Sequence, residues 1–241
     1  AANPVYNKKV QVELTINDCK TVEEVETLLK SKGWFNVQTI GGKVYDSNES
    51  ITLTGVDLEG ARSIYTTHER LFTQYPQLVG KLNGINSAKL DGFTYAQCSV
   101  GLGHGGIAVN TQWFNDVSKL KRTYETDLVK GYHPVGTTYH SVVMHELGHA
   151  IDDYLTNTLH LAGVQKSGWA YKYVSADMRP KVMRACNMRV YEVRNEVSEY
   201  ATKDHFEWFA ECFAEYMDNP NPRKVATEFG KQFEELMKGV K

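Results

Sequence analysis

Apolar and polar positions alternate at the start of the chain. In KKVQVELTIND, Val10, Val12, Leu14 and Ile16 take every second position, the period of a half-buried strand. The next stretch, TVEEVETLLKSKG, changes period. Val22, Val25, Leu28 and Leu29 form a helical stripe, and Thr21 with Glu24 has capping-box spacing. GGK and DSNES then punctuate the chain. The pattern predicts a small α/β appendage over residues 1–50 and a main domain over residues 51–241.

In the main domain, DLEGARSIYTTHERLFTQYP predicts a helix over 57–75, stopped ahead of Pro76. Short strands are predicted near 80–86, 94–99 and 106–110, the last two joined by Gly-rich GLGHGG. NDVSKLKRTYETDLVKG reads as a helix ended by Gly131. HPVGTT then leads into another helix, with Thr137 or Thr138 as its N-cap. Further helices are predicted over 175–189, 205–217 and 222–238. A few strands followed by several helices make an α+β fold with a small mixed sheet and a helical C-terminal part.

Composition narrows the classes. In 241 residues, 41% are hydrophobic and 23% charged, enough apolar material for a packed core. Net charge is −2 and no basic stripe stands out, so nucleic acid is not an expected partner. No apolar run is long enough to predict a membrane span. The chain opens AANPVYNKK, with neither an initiator Met nor a signal-peptide apolar stretch, as a piece of a longer protein would. Its compartment is not read from this start. Cys19, Cys98, Cys186 and Cys212 are far apart and match no disulfide framework or C-x-x-C site. Cys212, among Phe209, Phe213 and Tyr216, reads as a buried thiol.

The chemistry concentrates in VVMHELGHAIDDY, residues 142–154. On a helix, Val143, Met144, Leu147, Ala150, Ile151 and Tyr154 share one side. His145 and His149 share the other, about 40° apart, so both imidazoles can converge on one metal ion. Glu146 sits one position round, able to reach a water rather than the metal. The competing reading is a solvated polar face, but this triplet arises by chance in roughly one chain in a hundred of this size.

A catalytic zinc needs a third protein ligand. The metzincin continuation is missing, since Asp152 stands where its Gly would be. A distant carboxylate is the better source, and HFEWFAECFAEY places Glu207, Glu211 and Glu215 four apart on one face. Two uses compete for Glu207: ligand, or capping-box partner of Asp204. His205 is a rival ligand. Asp152 and Asp153 can orient a ligand imidazole or form plain surface pairs. The strand GGIAVN can be a sheet edge that binds an extended peptide, or an ordinary core strand. His104 in the Gly-rich loop reads as exposed, and His68, His133, His140 and His160 belong to no motif.

HELGHAIDDY followed by Tyr200, Glu207, Phe209, Ala210 and Glu211, with Y-x6-E-x-F-A-E spacing, resembles the anthrax lethal factor type of zinc metallopeptidase domain, which includes the Pro-Pro endopeptidases. The resemblance covers residues 137–217. It implies a zincin-like fold and Zn2+ held by His145, His149 and Glu207. It implies Glu146 as general base, Tyr200 as oxyanion stabiliser and Glu211 as a carboxylate behind the ligands. The segment between the two motifs is longer here than in the Pro-Pro enzymes, which leaves substrate preference open.

A looser likeness over 55–217, through LFTQYPQLVG, IAVNTQWFN and HPVGTTYHSVVMHELGHAIDD, is to metallopeptidase-like domains of phage head proteins. The expected function is therefore a zinc-dependent endopeptidase of bacterial or phage origin, either secreted or toxin-like, or particle-associated. The alternative is a phage-particle binding module that keeps the zinc for folding, and an amidase on cell-wall peptides is a lesser one.

Overall fold

The computed structural model describes residues 14–101, 106–161 and 173–240. In chain order, the first half holds α1 (Val22–Ser31), β1 (Val37–Ile40), β2 (Lys43–Asp46), α2 (Leu58–Gln74), β3 (Ile85–Ala88), β4 (Ala96–Ser99) and β5 (Gly106–Asn110). The second half holds α3 (Thr111–Phe114), α4 (Val117–Val129), α5 (Ser141–Leu161), α6 (Val174–Ala185), α7 (Val193–Glu196), α8 (His205–Asp218) and α9 (Lys224–Met237). The fold is α+β, as the order of predicted elements implied.

The helix ends obey local chemistry. Thr21 and Glu24 form the reciprocal capping box of α1. Asp57 caps α2 through the Gly60 N–H at 2.6 Å, and its other oxygen accepts the Val117 N–H at 2.7 Å, so one carboxylate fastens two helix starts. Gly131, at φ 75°, closes the helix predicted to end there. The start of α5 differs from expectation. Thr137 spends its hydroxyl on the Pro134 carbonyl and the Tyr124 hydroxyl, so it caps nothing, and the helix begins later, at Ser141.

Most of the expected N-terminal strand, including Val10 and Val12, lies outside the described residues, as do His104 and the segment 162–172. Its described end is a turn, closed by Asp18 N–H to the Thr15 carbonyl at 3.0 Å. Gly41 and Gly42, both at positive φ, join β1 to β2 in an antiparallel hairpin. The residues between 14 and 50 share their core with the rest of the chain: Val25, Leu28, Leu29 and Phe35 are buried with Ile64, Leu71 and Phe72 of α2.

The second sheet has the order β3-β5-β4, with β3 parallel and β4 antiparallel to β5. This corrects the expectation for GGIAVN. Gly106–Asn110 is the central strand, hydrogen-bonded on both sides, with Ile107, Val109 and Asn110 buried. Among the described residues the free edge belongs to β4, because the outer side of β3 carries a bridge from Thr52. Helix α5 packs against β4 on one side and α8 on another. Where α5 meets α8, a Cβ on Gly148 would stand 2.9 Å from the Ala210 Cα. Only glycine allows that approach, and it brings the first turn of α8 to the polar face of α5.

Candidate metal centre

His145 and His149 lie one turn apart on α5, as the four-residue spacing requires, and α8 brings Glu207 opposite them. The His145 and His149 Nε2 atoms are 3.1 Å apart. Glu207 Oε2 is 3.1 Å from the first and 3.2 Å from the second. A tetrahedral zinc with bonds near 2.0–2.1 Å has ligand-to-ligand edges of roughly 3.3 Å, so the triangle has the size the ion needs. These three residues form the one group able to hold a metal ion among the described residues.

The competition for Glu207 resolves atom by atom. Asp204 caps α8 by accepting the Glu207 N–H at 2.9 Å. The Glu207 carboxylate does not fold back in return; it points at the two imidazoles. Burial pushes its pKa up, but the hydrogen bonds from His145 and His149 outweigh that and hold it well below the usual carboxylate range. His205 turns away, its Nδ1 2.9 Å from Ser175 Oγ, and faces no ligand atom of the cluster.

Glu211, one turn beyond Glu207, accepts the His145 Nδ1–H at 2.7 Å. With Nδ1–H committed to Glu211, Nε2 is the nitrogen that a metal would take, displacing the proton through which it bonds Glu207 in the metal-free chain. Glu211 is buried and its other oxygen accepts the Ser198 hydroxyl at 2.7 Å. Burial opposes protonation of His145, but Glu207 and Glu211 together prevail and lift its pKa well above that of a free histidine. Three acceptor atoms converging this closely suit either a shared proton or a cation, and the donor set of two imidazoles and one carboxylate is that of a catalytic zinc.

Glu146 is buried beside the cluster and shares a cavity wall with Cys98 of β4. Burial raises its pKa; the neighbouring His145 and His149 pull it back only in part. Tyr200, on the 3-10 turn Tyr200–Thr202, has its ring 5.7 Å from that of His145 and lines the cavity that also holds Glu207. Burial and the nearby Glu207 charge push the phenol pKa far up, so the hydroxyl keeps its proton and remains a donor.

Asp152 and Asp153 are buried rather than in surface pairs. Asp152 accepts the Ser175 N–H at 2.8 Å, at the start of α6, and its pKa is raised to about 6 by burial. Asp153 accepts the Gly101 N–H at 3.1 Å, just beyond β4. Both line the cavity that holds His149, and each secures an element bordering it.

Two cavities meet at His145, Glu146 and Tyr200. One, of about 390 Å3, is ring-rich, with Tyr95, Tyr124, Tyr132 and His133 in its wall. The other, of about 360 Å3, runs along Gln97, Cys98 and Val100 at the β4 edge to Phe206 and Glu207. His133, assigned to no motif in the sequence, stacks on Tyr124 at 4.3 Å, with Nδ1 4.0 Å from Glu211 Oε1. Neither His133 nor Ser198 has a spacing signal that marks it. No helix among the described residues is long and apolar enough to cross a membrane.

No family model matches the chain, and neither a curated protein nor a solved structure matches it.

Proposed function

We propose that this chain is a zinc-dependent endopeptidase. The carrying observation is the meeting of His145, His149 and Glu207 at metal-ligand separations, with Glu146 and Tyr200 on the same cavity wall. The resemblance to the lethal factor type of metallopeptidase supports the same reading, since its implied residues are those that converge.

When bound, zinc supplies Lewis acidity that acidifies water and polarises a peptide carbonyl. Glu146, its pKa raised by burial, accepts a proton from water and delivers it to the leaving amine. Tyr200, kept protonated, donates to the developing oxyanion. Glu211 keeps His145 in the tautomer that presents Nε2. The substrate is a peptide held extended by the free edge of β4, which borders both cavities through Ala96. The ring-rich cavity takes an apolar side chain next to the scissile bond. A module that kept zinc only for folding would need neither Glu146 nor Tyr200 at this wall.

Digestion of a peptide library by the zinc-loaded chain tests the reading. Internal cleavage is expected, lost on chelation. Glu146→Gln is expected to abolish it while keeping about one zinc per chain. Zinc binding without cleavage of any peptide would point instead to the binding module, and cleavage confined to peptidoglycan to an amidase.

A further inference from the structure

The turn that carries Tyr200 is tied at two places. On one side, the Glu199 N–H donates to the Gly131 carbonyl at 2.9 Å and the Tyr200 N–H to the Tyr132 carbonyl at 3.2 Å. On the other, the Ala201 N–H donates to Ser198 Oγ at 3.0 Å. Ser198 is 1% exposed and its hydroxyl has one proton to give, which goes to Glu211 Oε2 at 2.7 Å. Glu211, 2% exposed, uses its other oxygen for the His145 Nδ1–H. An unbroken chain of hydrogen bonds thus runs from the Tyr200 turn through Ser198 and Glu211 to the imidazole of His145. The two bonds at Ser198 are buried, so a partner lost there has no solvent substitute, while the bond to His145 borders the ring-rich cavity.

We infer that Ser198 is a positioning residue that makes the metal-ligand set and Tyr200 one mechanical unit. Its role at Tyr200 rests on the proposed peptidase reading; its role at His145 rests on zinc binding alone. Ser198 touches neither substrate nor metal. It sets where the Tyr200 hydroxyl stands relative to His145, and it anchors the carboxylate that orients that imidazole.

The test is Ser198→Ala, alone and combined with Tyr200→Phe. In the metal-free chain, amide exchange at Ala201 should accelerate at least about tenfold, while Glu199 and Tyr200, held by other carbonyls, change less. Zinc affinity should weaken by about 10–100-fold, the range for losing a partner behind a ligand. In peptide hydrolysis kcat should fall with KM nearly unchanged, and Ser198→Ala should add little once Tyr200→Phe is present. Ser198→Thr, which keeps the hydroxyl, should restore Ala201 protection and zinc affinity.

Should Ser198→Ala fail to fold, Ser198→Cys keeps the volume and weakens both bonds, and the same shifts are expected. Unchanged Ala201 exchange, zinc affinity within about twofold of the parent, or a full additional kcat loss on top of Tyr200→Phe would each overturn the inference. If the parent chain cleaves no peptide, exchange and zinc affinity still decide the tie to His145, and the peptidase reading alone falls.

Discussion

Glu207 is the residue on which the sequence was most evenly divided. Its spacing from Asp204 fits a helix cap, and its spacing from Tyr200 is the one the resemblance to lethal factor-type metallopeptidases assigns to a ligand. The fold satisfies both spacings with different atoms. The backbone N–H takes the cap, and the carboxylate goes to the imidazoles. Spacing alone cannot separate these uses, because an N-terminal Glu can fold back or reach across with the same backbone. Glu207 and Glu211 are expected to separate cleanly by zinc titration. Glu207→Ala should reduce affinity by well over about a hundredfold, whereas Glu211→Gln should stay within about 10–100-fold. Equal effects would contradict the distinction between a ligand and the carboxylate behind it. His133 and Ser198, by contrast, carry no legible signal. One stands before a proline and the other in a polar run, and only the folded chain brings them to Glu211.

At the scale of elements, the helices were legible because their apolar stripes are long and their caps explicit. Helix α2 (Leu58–Gln74) and helix α8 (His205–Asp218) follow their predicted spans closely. The sheet order was not legible. Strands of four or five residues are too short for alternation to tell a buried centre from an edge, and GGIAVN proved to be the centre. Strand partners are set by loops and by helix packing far along the chain.

The close contact at Gly148 was equally hidden within HELGH. Helix propensity alone predicts that Gly148→Ala stabilises by up to about 1 kcal/mol. The 2.9 Å approach to the Ala210 backbone predicts the opposite. Overpacking of a tight core costs about 1–3 kcal/mol, so net destabilisation should win. Denaturant unfolding of the metal-free variant reads the sign directly, and zinc affinity should fall with it as α8 is pushed away. A more stable variant with unchanged affinity would contradict this packing account.

For the molecule as a whole, the residues between 14 and 50 and helix α2 form one aromatic cluster around a buried histidine. His68 has no exposed surface. Phe35 packs edge-on against it and Phe72 stacks over it. Its Nδ1–H donates to the Ile64 carbonyl at 2.8 Å, and Nε2 has no partner among the described residues. Burial pushes its pKa down to about 4. An unfolded chain binds this proton near pH 6.5 and the folded chain only near pH 4, so the unfolded state gains protons first as pH falls. The stability attached to His68 is therefore complete above about pH 6.5 and lost on the way down to about pH 4, by roughly 3 kcal/mol. Unfolding of His68→Leu should show a shallower acid limb than the parent in that window; parallel limbs would contradict a neutral, buried imidazole. The predicted boundary at residue 50 followed local punctuation, whereas this shared core depends on contacts between Trp34, Phe35 and residues some thirty positions on.

The central claim is that α5 and α8 together hold a catalytic zinc. It is tested most directly by a zinc-edge anomalous difference map from a crystal of the zinc-loaded chain. The account predicts one strong peak within about 2.0–2.2 Å of His145 Nε2, His149 Nε2 and a Glu207 oxygen. A peak elsewhere, or none at saturating zinc, would contradict it.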